Sequence, residues 1–340
     1  MHSHNNTYDT MSRQQSAIIK GLAILLMLIY HFHHLIGIEA YPPYLLGFLS
    51  NISHPVEYFL IVSGYGLYCA YRNNRLNWTY LLKRTGRLYV SFWLVLGIFV
   101  FALGPWLAPG VFSYSFKDVV TNLIGWRWDY CQFTWFLFTY VLLSFGSKWI
   151  FRTIDRIGNI ASVILSLVIS LGATWLVGHY YSQFFRHFFL LYHITLALEM
   201  LLSFVIGGVM AHMVLDGKDI TWSRLRGKNA LVVLLMLVVF ALAGYRPIHS
   251  VPLFVTIIVW LTMHITPRAI AKHIFIPLGD KSMMMWFLHG FLGPVLFTEY
   301  YLLLQHPILI YLTWVIITYG VACLLTPIAD KISRTLRLSK

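Results

Sequence analysis

The sequence predicts an all-α bundle of about ten membrane-crossing helices, and three observations carry that prediction. The 340 residues are 59% hydrophobic and 11% charged, with a mean hydropathy of +0.70, which lies outside the range of soluble globular domains. Apolar runs long enough to cross ~30 Å of hydrocarbon as helices recur along the whole chain. The basic residues, finally, sort by loop in the way a polytopic topology requires.

The apolar runs fall at 17–38, 54–71, 88–107, 131–150, 159–178, 188–214, 229–245, 249–265, 282–298 and 308–328. The run 188–214 is long enough to tilt or bend, and the two that follow it are parted only by Arg246, Pro247 and Ile248. With the N-terminus inside, 21 of the 25 Lys and Arg residues lie in cytoplasmic segments, and only Lys117, Arg127, Arg186 and Arg246 fall outside. That split places both termini in the cytoplasm. It also accounts for much of the net charge of +13, leaving some for anion binding and no call for nucleic acid as a partner.

Cys69, Cys131 and Cys323 are scattered through the apolar runs and form neither a disulfide framework nor a metal-ligand spacing, so no metal is expected. The first run is too long for a removable signal peptide and lacks its cleavage site. Residues 1–12 read as a loose tail and 13–340 as a single membrane domain, because every loop is shorter than about 25 residues and no repeat is visible.

The first run contains KGLAILLMLIYH, with Lys20 and His31 at its ends. Eleven steps of ~100° bring these side chains within roughly 20° of one helical face, about 16 Å apart in height. Lys20 then sits at the membrane edge and His31 near mid-bilayer. An ionisable group at that depth needs a cavity or partner, and histidine is the usual general base at neutral pH. The alternative is a histidine hydrogen-bonded into a helix interface without chemistry. His34 lies one turn further out, about 60° round, as the reserve candidate, while His33 points to another face.

The second run begins HPVEYFLIVSGYGLY. A helical rise sets Glu57 about 21 Å above Tyr71, near the depth of His31, where a carboxylate orients an imidazole or sits at headgroup level. In Ser63-Gly64-Tyr65-Gly66 the glycines permit close helix packing. Before the third run, LLKRTGRLY sets Arg84 and Arg87 one turn apart. Paired guanidinium groups suit bidentate phosphate recognition or act as ordinary positive-inside anchors. Lys20 at the same boundary favours an inward-facing anion site below a buried base.

The longest outer loop, roughly 108 to 130, carries Lys117, Asp118, Trp126, Arg127, Trp128 and Asp129, as an interfacial belt or a sugar-stacking surface. Trp135, opening the fourth run in TWFLFTY, has the roles of belt, core or sugar platform open to it. In the ninth run, LGDKSMMMWFLHG places His289 about 10 Å above Ser282, to bind substrate or to pack.

These residues together resemble the bacterial integral-membrane acyltransferase family 3. The resemblance rests on Lys20 and His31 in K-x10-H; on VEYFLIVSGY from Val56 to Tyr65; on Arg84 and Arg87 in R-x-x-R; on WFL from Trp135; and on LG-x-x-S from Leu278 leading to His289. It implies about ten helices in the bacterial cytoplasmic membrane and a cytoplasmic acyl-CoA donor, acetyl-CoA or a related thioester. It also implies an acceptor hydroxyl on an envelope glycan or lipid-linked saccharide. Carried over, Lys20, Arg84 and Arg87 meet the donor's phosphates, and His31, oriented by Glu57, is the base or an acyl relay. Ser63, Tyr65, Trp135 and His289 then line the substrate site. Two positions depart from the family pattern: Lys20 stands where Arg is common, and Glu57 where Asp is frequent. The alternative from another class is a proton-coupled transporter or flippase of a small anion or glycolipid, using His31, Glu57 and His289 as a relay. That reading predicts repeated halves, and none is found.

Overall fold

A computed structural model describes residues 11–37, 43–181, 188–217, 228–245, 251–265 and 269–338. Arg186, Arg246, Pro247 and Ile248, and most of the predicted tail, lie outside the described residues. Every described regular element is helical: α1 (Arg13–His31), α2 (His33–Ile36), α3 (Pro43–Ile52), α4 (Pro55–Arg72) and α5 (Trp78–Leu96, continued by a wider π turn through Ala102) come first. Then follow α6 (Gly104–Leu107), α7 (Phe116–Leu123), α8 (Phe136–Ile157), α9 (Asn159–Tyr180), α10 (Phe189–Glu199) and α11 (Leu201–Leu215). The chain ends with α12 (Lys228–Tyr245), α13 (Val251–Met263), α14 (Ile276–Gly290, followed by a π turn through Val295), α15 (Thr298–Leu302) and α16 (Pro307–Thr335).

Among the described residues, four segments are long and apolar enough to cross a membrane alone: Arg13–Ile36, Trp78–Ala102, Asn159–Tyr180 and Pro307–Thr335. α10 and α11 form a further candidate, bent by 42° between Glu199 and Leu201, which is the bend the length of that run suggested.

Local sequence sets where the helices start. Ser12 accepts from the Gln15 amide while the Gln15 side chain accepts from the Ser12 amide, a capping box that opens α1. The Met11 amide also donates to the Tyr65 hydroxyl at 3.0 Å. Met11 and Ser12 therefore belong to the folded body, whereas a pattern of polar residues alone put them in the tail. Asn77 caps α5 by accepting from the Tyr80 amide, so this helix begins ten residues before its apolar run and carries Arg84 and Arg87 on its second and third turns. Pro55, Pro277 and Pro307 occupy first-turn positions, where a missing amide hydrogen costs nothing.

Two glycine crossings set the centre of the bundle. A Cβ at Gly21 would overlap the Phe275 carbonyl, and one at Gly279 would overlap the Ala17 carbonyl, so α1 runs against α14 backbone to backbone. Gly64 and Gly207 do the same for α4 and α11, against the carbonyls of Phe204 and Ile61. Close approach of this kind lets van der Waals packing hold helices where lipid removes the hydrophobic drive. Gly66, by contrast, faces open space.

Candidate functional site

Three helices carry side chains at matching heights. On α1, Lys20, Met27 and His31 follow at steps of seven and four residues, one face of the helix. On α14, Ser282, Trp286 and His289 follow at four and three. Tyr140 and Phe136 stand one turn apart on α8, with Phe133 in the short turn before it. The crossing of α1 and α14 at Gly21 and Gly279 aligns the first two ladders. A polar tier, an apolar tier and a histidine tier result.

The polar tier borders a cavity of about 430 Å³ lined by Lys20, Ser63, Arg84, Arg87, Tyr140 and Asp280, among others. Arg84 donates to the Tyr140 hydroxyl from Nε at 3.0 Å and from Nη2 at 2.7 Å, and Nη2 reaches Ser63 Oγ at 3.4 Å. The guanidinium is thereby held in one orientation by α4 and α8. Asp280 and Asp330 also line this cavity, so its cations face carboxylates as well as each other. Lys20 and Asp280 are shared with a second cavity, of about 570 Å³, that includes Arg13, Tyr65 and Asn73.

Across the apolar tier lies a third cavity of about 230 Å³, lined by His31, Ser53, His54, Glu57, Trp135 and Met200, among others. His31 stacks on His289 with ring centroids 5.3 Å apart, and Phe133 meets both rings, at 4.4 Å and 5.1 Å. His289 is fully buried; its Nδ1 lies 2.6 Å from the Trp286 carbonyl, and the Trp314 indole donates to the His289 carbonyl at 3.1 Å. Among the described residues, buried His31 Nδ1, His289 Nε2 and Ser53 Oγ have no hydrogen-bond partner. Of these, His31 and Ser53 line the cavity, where their unpaired atoms suit a polar ligand.

The structure thus brings His31, Glu57 and Trp135 to one cavity, Lys20, Ser63, Arg84 and Arg87 to the next, and His289 against His31. Tyr65 joins Lys20 in the cavity of about 570 Å³ instead. Glu57 shares a cavity with His31, yet no hydrogen bond or ion pair joins the two among the described residues. The side chain stacked on His31 is His289, because α14 lies against α1 more closely than α4 does. His33 is not turned away. α1 ends at Phe32, whose amide bonds Ile29 in a tighter turn, and α2 restarts so that the rings of His33 and His34 lie 4.0 Å apart, with His34 5.9 Å from His31.

Trp126 and Trp128 are half-buried and anchored to α10. Both pack on buried His193, at 5.4 and 5.6 Å, and the His193 ring is hydrogen-bonded to the Trp126 carbonyl. Sequence reasoning missed Tyr140, Asp280 and Asp330. Tyr140 closes the same TWFLFTY stretch that Trp135 opens, and Asp280 sits within LGDKS, so the signal was adjacency to residues already singled out.

A protein-family model described as Acyltransferase domain matches residues 16–327. No curated protein and no solved structure matches the chain.

Proposed function

The chain belongs to the acyltransferase domain family, the family 3 that its motifs resemble, and from that membership we propose that it moves an acetyl or other short acyl group from cytoplasmic acyl-CoA to a hydroxyl of an envelope glycan or lipid-linked saccharide. It is a membrane acyltransferase; the donor, the acceptor and the residue roles are the proposal. So are ten crossings, cytoplasmic termini and a bacterial cytoplasmic membrane, which the distribution of Lys and Arg supports.

The observation that carries the reading is the arrangement of cations from α1 and α5 around one cavity with His31 of α1 at the next. Lys20, Arg84 and Arg87 around one cavity suit the phosphates of coenzyme A, and His31 borders the neighbouring cavity. In the simplest sequence His31 accepts the acceptor's hydroxyl proton as that oxygen attacks the thioester carbonyl. The carbon–sulfur bond breaks, the acyl group passes to oxygen, and the thiolate leaves toward the cations, taking a proton from water as His31 gives up the one it accepted. A variant acylates His31 first and then transfers to the hydroxyl. Glu57, in the same cavity, takes up the proton through solvent or orients the acceptor.

The test is release of free thiol from acetyl-CoA by purified protein in nanodiscs containing envelope lipid extract. Wild type is expected to release thiol and folded His31→Ala to release none above background. Thiol release by both at equal rates removes His31 from the chemistry; release by neither, without thermal stabilisation by acetyl-CoA, removes the donor.

A further inference from the structure

A base that accepts a proton in each turnover must lose it before the next, and the surroundings of His31 differ in what they offer that proton. Toward α14 there is no outlet: His289 has no exposed surface, and its Nδ1 lies 2.6 Å from the Trp286 carbonyl. Glu57 and His54 line the same cavity as His31, but among the described residues no hydrogen bond or ion pair joins Glu57 to His31, and no ring contact joins His54 to it.

The remaining side is the outer end of the same helix. The ring centroid of His34 lies 5.9 Å from that of His31 and 4.0 Å from that of His33. Phe133 packs on both His31 and His34, at 4.4 and 5.5 Å, so one aromatic face holds the two imidazoles side by side. His31 and His33 are half-buried, and His34 is exposed. α2 stops two residues beyond His34, at Ile36, where Gly37 with a φ of 82° leads the chain out of the helix. The last carbonyls of a helix need water or another polar partner, which hydrocarbon does not supply. His34 therefore stands in the turn that meets the outer water on the topology proposed above.

An imidazole passes a proton on by receiving it at one ring nitrogen and releasing one from the other, and a gap wider than a direct hydrogen bond is crossed through one water. We infer, on the assignment of His31 as base made above, that His34, with His33 beside it, relays the proton of His31 to the outer face. The acceptor's O–H bond breaks and its proton passes to His31 as the new carbon–oxygen bond forms. The imidazolium then gives a proton across one water to His34, which gives one to outer water directly or through His33. The departing thiolate takes its proton from water on the cytoplasmic side, so each acyl transfer moves one proton outward and leaves His31 neutral.

The experiment follows thiol release from acetyl-CoA in nanodiscs with envelope lipid extract, in dilute buffer, by wild type and His34→Gln, with and without added imidazole. For His34→Gln kcat is expected to fall at least about tenfold, short of the effect of losing a group that acts on the substrate itself, with donor KM unchanged. Imidazole in the medium is expected to restore the variant and to leave wild type unaffected. His34→Ala carries the same expectation if His34→Gln does not survive purification. A loss that imidazole does not restore, or one that appears in donor KM, makes His34 structural and overturns the relay, as does an unchanged kcat. Thiol release by neither protein, or at equal rates by wild type and His31→Ala, overturns the donor or the base instead, so the failures are distinguishable.

Discussion

His31 and His289 stack with their rings 5.3 Å apart and inclined by 29°, one from the first helix and the other from near the end of α14. Nδ1 of His31 and Nε2 of His289 have no hydrogen-bond partner among the described residues. Replacing His289 by Phe keeps a flat ring beside His31 and removes the nitrogens. In the acyl-CoA thiol assay kcat is expected to fall on the order of 10²-fold, the low end of general acid–base contributions, with donor KM unchanged. A rise in donor KM at constant kcat would instead make His289 a donor-binding residue.

Tyr140 accepts from two nitrogens of Arg84. Tyr140→Phe leaves the guanidinium in place without its anchor, and donor KM is expected to rise about tenfold, from a hydrogen bond to a charged group worth ~1.5 kcal/mol. Arg84→Lys loses the planar fork itself and is expected to cost more. Equilibrium binding of CoA by calorimetry, compared across the two variants, checks the order.

Gly279 meets the Ala17 carbonyl where a Cβ would have to go, whereas Gly172 on α9 has nothing within 4 Å. Gly279→Ala is expected to cost about 3 kcal/mol, the upper end for overpacking, since backbone cannot move aside as a side chain does. Gly172→Ala is expected to be neutral or slightly stabilising. Thermal melts in detergent compare the two directly.

In the outer loop Ser113 and Ser115 donate to Asp118 Oδ2 at 2.6 and 2.7 Å. The Ser113 hydroxyl first, then that of Ser115, holds this carboxyl below the usual carboxylate range. A depressed folded pKa gives stabilisation that is complete above the unfolded value of about 3.9 and is lost as pH falls through the folded one. Amide exchange protection over α7 is therefore expected to hold at pH 5 and fail below that window. Ser113→Ala should move the loss to higher pH; an unchanged midpoint would sever the link.

The legible parts of this site were those written along one helix. Lys20 and His31 share a face by spacing alone, as do Arg84 and Arg87, and each helix delivers its pair to a cavity wall. Relations between helices were not legible. Glu57 reads as the orienting acid because its depth matches that of His31, but depth does not fix the lateral distance, which depends on which helices cross at glycine. The capacity of Gly64 for close packing was visible, and its partner Gly207 was not. The turn at Phe32 that gathers His33 and His34 has no local marker, since Phe32 keeps helical torsions. The partner of Trp126 was not legible either, because the ring it packs on, His193, lies 67 residues further along the chain.

The backbone contacts of Gly21 with Phe275 and of Gly279 with Ala17 also bear on biosynthesis. The two halves of the site are made roughly 260 residues apart, and at about 5–20 residues per second a ribosome takes about 13 to 50 s to travel from one to the other. Throughout that interval the nascent first helix sits in the membrane with Lys20 and His31 on a face whose proper cover, α14, has not been translated. A chain stalled before Gly279 holds the base and all three cations of the candidate site but neither His289 nor Trp286.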